Sequence, residues 1–504
     1  MDLIGGLASG FEVAFSLENL FYVFVGVTVG TVVGLLPGLG STATIALLLP
    51  LTYALEPVSA VIMLAGIYYG GMYGGRIPSI LMRLPGDSSA VITTFDGYPL
   101  AKQGRAGAAL SITAIGSFVG GTIAILLLTF LAPTIAHYAT QVAPPEIFLL
   151  TVFGILMIAF VGNGSKVKAL LMGVVGLIIA TIGIDPISAS SRLSFGSEGL
   201  SSGINIVAMA VGLFGLSEVF NTIYENRKDA FVSGPIGRLL PTKADLLLTR
   251  FAMLRASIIG FIIGVLPGGG GVVSSVVAYG AEKRFSKNPE KFGKGAMDGL
   301  AATETADNAS SNAAFIPLLT LGIPSNPVLA LIFGALLLQN ISPGPQLINS
   351  HPDIFWGVIA SMYIGNVLLI IFNIPLIGVF VQLLRIKPSV LTTIIVTVAM
   401  VGVYSSENSV FDLWIAAIFG VIGFVLKRMD FDLGPLILGF ILGGIIEVQF
   451  RRSMLLSDGS LMIFLERPVS LVLILILGAI VATTLYGSLK LRKKTAELME
   501  DVKS

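Results

Sequence analysis

The chain predicts an all-α polytopic membrane protein made of two inverted-topology repeats, with discontinuous helices or re-entrant hairpins in each. Three observations point there: an apolar composition with little charge, basic clusters that alternate with nearly uncharged loops, and Pro-Gly segments that recur in two halves. The 504 residues are 55% hydrophobic and 12% charged, with a mean hydropathy of +0.92. A soluble chain carries roughly 25% charged residues to cover its surface, so here lipid must solvate the surface instead. A spanning helix needs about 20 largely apolar residues. Such stretches recur from end to end, among them 144–161, 204–221, 411–426 and 469–489.

Composition also excludes chemistry. There is no cysteine, which removes disulfides, thiolate metal sites and iron–sulfur clusters. The two histidines, His137 and His351, fall in predicted loops, which argues against a histidine-built metal centre. No Lys or Arg precedes Arg76, so the basic n-region of a cleavable signal peptide is missing. A net charge of +1 without a long basic block gives no sign of nucleic acid, and no cofactor is expected.

Short loops rich in Lys and Arg stay cytoplasmic. The basic clusters are Lys102/Arg105, Lys166/Lys168, Arg227 to Arg250, Lys283 to Lys294, Arg385/Lys387, Lys427/Arg428 and Lys490 to Lys494, which leaves the C-terminus cytoplasmic. Between them lie 137–146, 183–202, 340–353 and 404–410, with almost no positive charge. Loop 451–468 is the exception: it carries Arg451, Arg452 and Arg467, yet parity places it outside.

Residues 251–281 lie between two basic loops, and their middle reads GVLPGGGG (264–271). Pro and consecutive Gly do not continue a helix. The segment reads as a hairpin of two half-length helices; two short full spans with an external turn stay open. Backbone bared at membrane depth must be buried in protein or line a wet cavity.

The device is repeated. GLLPGLGST (34–42) matches GVLPGGGGV (264–272), IPSILMRLPGD (77–87) matches IPLLTLGIPSN (316–326), and GLSEV (215–219) matches GIIEV (444–448). Pro37 thus pairs with Pro267, Pro78 with Pro317, Pro85 with Pro324, Asp87 with Asn326, and Glu218 with Glu447. Charge placement turns the two halves upside down relative to each other, the arrangement of secondary transporters. The expected organisation is an N-terminal interfacial segment (1–19), a first repeat (20–226), a cytoplasmic linker (227–250) and a second repeat (251–450). An external loop, a final transmembrane helix and a basic cytoplasmic tail (451–504) follow.

A broken helix exposes N–H groups at one new end and carbonyls at the other. The N–H end favours carboxylate, the carbonyl end a cation, and Gly or Ser lets the ligand approach the backbone. The cradle candidates are Gly38, Gly40, Ser41 and Thr42 in the first half, and Gly268, Gly269, Gly270, Gly271, Ser274 and Ser275 in the second. Helix packing through small residues is the alternative. Arg76 and Arg83 sit two turns apart and would face one side to bind a di- or tricarboxylate, or serve only as structural or snorkelling charges. The run TETADNASSN (303–312) adds Asn308 and Asn312 as substrate contacts. Asp87, Ser88, Glu304, Asp307, Ser325 and Asn326 form a candidate site for a coupling cation, Na⁺ or H⁺. Glu218 and Glu447 read as helix-end charges.

At these residues the chain resembles the large membrane subunit of the tripartite tricarboxylate transporters, the TctA family. The resemblance is carried by residues 34–53, 68–107, 264–271, 292–327 and 434–447. It implies a secondary-active importer in a bacterial inner membrane, with elevator-like motion. A periplasmic solute-binding protein would deliver a small carboxylate, and a small four- or five-helix membrane subunit would accompany this one. A Pro-Glu-Ala-Ala-Asn-Asn-like segment is expected where this chain has Thr303 and Asp307, so citrate is not assumed. The rival readings are an uncoupled channel or scaffold, and an intramembrane enzyme. Against the enzyme, Asp87 and Asp307 lack an aspartyl-protease setting and no Ser–His pair lies within the spans; no Gly-x4-Gly-Lys loop occurs, so ATP-driven pumping is not supported either.

Overall fold

The computed structural model describes residues 3–36, 40–161, 165–225, 237–383, 388–479 and 482. Pro37, Gly38, the clusters at Arg227/Lys228, Arg385/Lys387 and Lys490 to Lys494, and most of the last span's second half lie outside the described residues. The chain is helical almost throughout. Its first part comprises α1 (Leu3–Ala14), α2 (Leu17–Gly34), α3 (Gly40–Leu48), α4 (Pro57–Met82), α5 (Thr93–Lys102), α6 (Ala106–Ala139), α7 (Pro144–Val161), α8 (Lys166–Ile179) and α9 (Ile206–Glu225). Its second part comprises α10 (Lys243–Val265), α11 (Gly271–Phe285), α12 (Met297–Ala313), α13 (Phe315–Leu321), α14 (Pro327–Leu338), α15 (Pro352–Asn373), α16 (Pro388–Glu407), α17 (Val410–Arg428) and α18 (Gly434–Leu456). Among the described residues eight helices are long and apolar enough to cross a bilayer: α2, α4, α6, α9, α10, α15, α17 and α18.

Glycine decides how the centre packs. A methyl at Gly30 would strike the carbonyl of Ile67, and one at Gly34 that of Gly71, so α2 and α4 touch backbone to backbone. A methyl at Gly260 would strike the carbonyl of Ala306, and one at Gly264 that of Ser310, which brings α10 equally close to α12. Across the halves, α6 packs on α12 while α15 packs on α4. Likewise α18 packs on α7 and α8 while α9 packs on α16 and α17. The N-terminal α1 lies on α15, where Gly6 and Gly10 admit Trp356.

Several sequence expectations need correction. Pro78 lies inside α4 and marks no break, whereas Pro317 lies in the first turn of α13, just after the interruption at Ala314 that separates it from α12. Each helix leaves its axis five residues later, at Arg83 (φ 59°) and at Gly322 (φ 69°), ahead of Pro85 and Pro324. The carbonyls that Pro78 and Pro317 themselves offer accept the amides of Leu84 at 3.3 Å and Ile323 at 3.1 Å, which caps the ends. Helix α10 spans 23 residues, about 35 Å at 1.5 Å per residue. It is not a half-length arm, and its first two turns come from the stretch read as linker. Loop 183–202 holds a two-stranded antiparallel hairpin, Gly183–Ile184 with Ser191–Arg192, the one departure from an all-α chain among the described residues. His137 belongs to the last turn of α6 rather than to a loop.

Two of the three arginines in the loop that broke the charge rule are held in ion pairs. Arg451 donates to Asp185 at 2.8 Å, and Arg467 to Glu146 at 2.5 Å. Arg192 joins the same group through Glu447 at 2.7 Å. The amides of Ile187 and Ser188, with Arg451, hold the Asp185 carboxyl well below the usual carboxylate range.

Candidate functional site

The two interruptions reach one place. Helix α2 stops at Gly34, and α3 starts at Gly40 in the left-handed region (φ 56°). In the second half α10 stops at Val265, the chain turns through Gly268 (φ 78°), and α11 starts at Gly271. The ends of α4 and α13 arrive beside these turns. Gly86 donates to the Gly75 carbonyl at 3.2 Å, and a methyl on Gly86 would overlap the Gly34 carbonyl. Gly268 donates to the Ser325 carbonyl at 2.9 Å. Asp87 and Asn326 then act as helix N-caps: Asp87 accepts from the Ser89 amide at 3.4 Å, Asn326 from the Leu329 amide at 2.9 Å.

A cavity of about 600 Å³ opens between these elements. Gly40 and Thr42 line it from the first interruption, Gly268, Gly270 and Gly271 from the second. Asp87 with Ser88, and Ser325 with Asn326, line it from the two capped ends. The N-terminal ends of α3, α11 and α14 therefore meet at one volume, where their amides favour an anion.

The halves are stitched at this level. Asn326 Nδ2 donates to the Tyr68 hydroxyl at 3.0 Å, and Ser89 Oγ to Asp307 Oδ2 at 3.0 Å. Asp307 is 2% exposed, and its Oδ1 has no partner among the described residues; a methyl on Gly271 would overlap that oxygen. This carboxyl therefore lies directly behind the start of α11.

Other candidates lie away from the cavity. Arg76 is fully buried, donates to Ser117 Oγ at 2.9 Å and stacks on the Tyr73 ring at 4.7 Å. Arg83 is exposed at the end of α4 over Tyr98, so the two guanidiniums do not share a face. Glu304 accepts from Thr93, and Asn308 donates to Ser117 at 2.8 Å, forming one buried polar layer with Arg76. Asn312 donates to the Asn308 carbonyl, which uses it within α12. Ser41 packs against Gly71, Ser274 bonds Ser310 at 3.0 Å, Ser275 the Thr303 carbonyl at 3.2 Å, and Gly269 closes on Ile263. Glu218 is paired with Lys427 at 3.0 Å and Glu447 with Arg192. Among the described residues no group of three or more His, Asp or Glu converges as a metal centre would.

Sequence reasoning missed Tyr68, Met72, Phe214, Ser89 and Lys427, all of which line the cavity. Phe214 sits in the π-helical stretch Val211–Leu216 of α9, a local widening that no apolar periodicity signals. Lys427 was read only as a marker of the cytoplasmic side.

Interrupted helices whose ends meet at one cavity inside an apolar bundle define a multi-pass membrane transport protein. The match to a family model extends over residues 20–438, and the chain belongs to the Tripartite tricarboxylate transporter TctA family. It is 46% identical to an Agrobacterium vitis protein described as an uncharacterized 52.8 kDa protein in the TAR-I ttuC' 3' region, over 99% of this chain and 100% of the relative. A second Agrobacterium vitis protein, described by the TAR-II ttuC' 3' region, is 49% identical over 42% of this chain and 87% of its own length. No solved structure matches.

Proposed function

We propose that this chain is the large membrane subunit of a binding-protein-dependent secondary transporter that imports a di- or tricarboxylate, driven by a Na⁺ or H⁺ gradient. The observation that carries the reading is the shared cavity, where helix N-termini from both halves offer amides to an anion. The coupled cation would sit among the oxygens beside it, with Asp87, Ser88, Ser325 and Asn326 at the wall and Asp307 behind. Glu304, held by Thr93, belongs to the buried layer instead. The partners are a periplasmic solute-binding protein and a small four- or five-helix subunit, in a bacterial inner membrane with the C-terminus cytoplasmic.

The halves act as inverted repeats. Gly30 and Gly34 precede Gly260 and Gly264 by 230 residues, and their contacts Ile67 and Gly71 precede Ala306 and Ser310 by 239. Equal spacings in both members of each contact support a duplicated unit, and the crossed packing of α6 on α12 and α15 on α4 supports a two-fold relation between them. Alternating access follows from the tip-bearing elements moving as bodies against the rest, in an elevator-like manner.

The test is uptake by proteoliposomes containing this chain, the small subunit and the binding protein. Labelled citrate, tartrate, malate and succinate are each offered under an imposed Na⁺ or pH gradient. At least one acid accumulates above its outside concentration and stops accumulating when the gradient is collapsed. Equilibration that ignores both gradients would make the protein an uncoupled channel.

A further inference from the structure

We propose that Lys427 reads the charge of the substrate at the mouth of the cavity, exchanging its contact with Glu218 for a substrate carboxylate. This rests on the carboxylate reading above. Among the described residues that line the cavity, Lys427 is the single basic side chain, while Asp87 and Asp432 are acidic. Arg76 and Arg83, the guanidiniums the sequence suggests for this task, do not line it. The helix N-termini offer amides but no full positive charge. A second carboxylate on the same substrate needs a cation of its own, because an unpaired charge facing Asp87 and Asp432 would be repelled.

Lys427 is built to answer. Its Nζ donates to Glu218 Oε2 at 3.0 Å, and Glu218 is nearly buried, whereas the Lys427 side chain keeps 31% of its surface open. An ammonium has three donors, so N–H groups are left for the cavity side. A partly solvated pair of this kind is weak and exchanges cheaply. The glutamate in the matching segment of the other half, Glu447, pairs with Arg192 and is not among the residues that line this cavity. The two glutamates stand 229 residues apart in matching GLSEV and GIIEV segments, but their cations stand 235 apart, so only the Glu218 pair, through Lys427, reaches the ligand volume.

A merely structural pair predicts that removing either partner has the same consequence. Charge reading predicts opposite ones. In the proteoliposome assay, with the acid that wild type accumulates, Lys427→Gln raises KM about tenfold or more at little changed maximal rate. Glu218→Gln, which releases the ammonium, lowers KM, and Lys427→Arg keeps it within a few-fold of wild type. Because the chain has no cysteine, Lys427→Cys can be treated with aminoethyl methanethiosulfonate, which rebuilds an ammonium and restores KM, while the uncharged methyl reagent does not. Equal effects of Lys427→Gln and Glu218→Gln, or a Lys427→Gln protein with wild-type KM, overturn the assignment. Absence of wild-type uptake for all four acids overturns the carboxylate reading, and the assignment with it.

Discussion

Glycine and the small capping residues carry the site, and their roles separate when each is asked what a larger side chain would meet. Gly86 and Gly264 face carbonyls of neighbouring helices, so Gly86→Ala and Gly264→Ala force backbones apart and cost about 1–3 kcal/mol each. Gly280 has open space around it, and Gly280→Ala is tolerated. Thermal unfolding in detergent, comparing the three variants, reads the difference. Asp87 and Asn326 each satisfy an amide at a helix start, and replacing either by Ala costs about 1 kcal/mol. Arg76 and Arg83 were indistinguishable by spacing, because two helical turns put both on one face. Only the left-handed turn at Arg83 carries its side chain away to solvent. Accordingly Arg76→Ala, which strips the buried layer of its only guanidinium contact to Ser117, lowers folded yield, while Arg83→Ala leaves yield and uptake near wild type.

Among the elements, the interruptions were legible and the helix ends beside them were not. Pro and four Gly in a row cannot be read as continuous helix, so the turn after Val265 followed from residue chemistry alone. Pro78 misled because a proline inside a buried helix is tolerated when its neighbours resatisfy the freed groups, and α4 runs on to Arg83; Pro317 does follow an interruption, at Ala314, before the end at Gly322. The π stretch in α9 was invisible, since one extra residue per turn leaves an apolar run apolar. At the hairpin of loop 183–202, the depressed Asp185 carboxyl sets a pH dependence. A carboxyl held below its unfolded value, near 3.9, stabilises fully above that value and loses the effect as pH falls through the folded one. Amide exchange in 183–202, taken relative to the intrinsic rate at each pH, is therefore steady from neutral pH down to mild acid and rises only in strong acid. Asp185→Asn raises it already at pH 7.

Across the whole molecule, membrane class and helical content were present in the sequence, because apolar composition is a local property. The cavity's walls were half legible: Gly40, Thr42, Asp87 and Asn326 were named in advance, whereas Tyr68, Phe214 and Lys427 come from helix faces that only packing selects. Arg451 and Arg467 of loop 451–468 looked misplaced because ion pairs reaching back to Asp185 and Glu146 cannot be seen from spacing. What unites these observations is one volume shared by the interruptions of both halves. Single cysteines at Thr42 and at Val272, placed in a chain with none of its own, test it most directly. The transported carboxylate should slow maleimide labelling at both positions over the same concentration range. Protection confined to one half, or to neither, would contradict a common site.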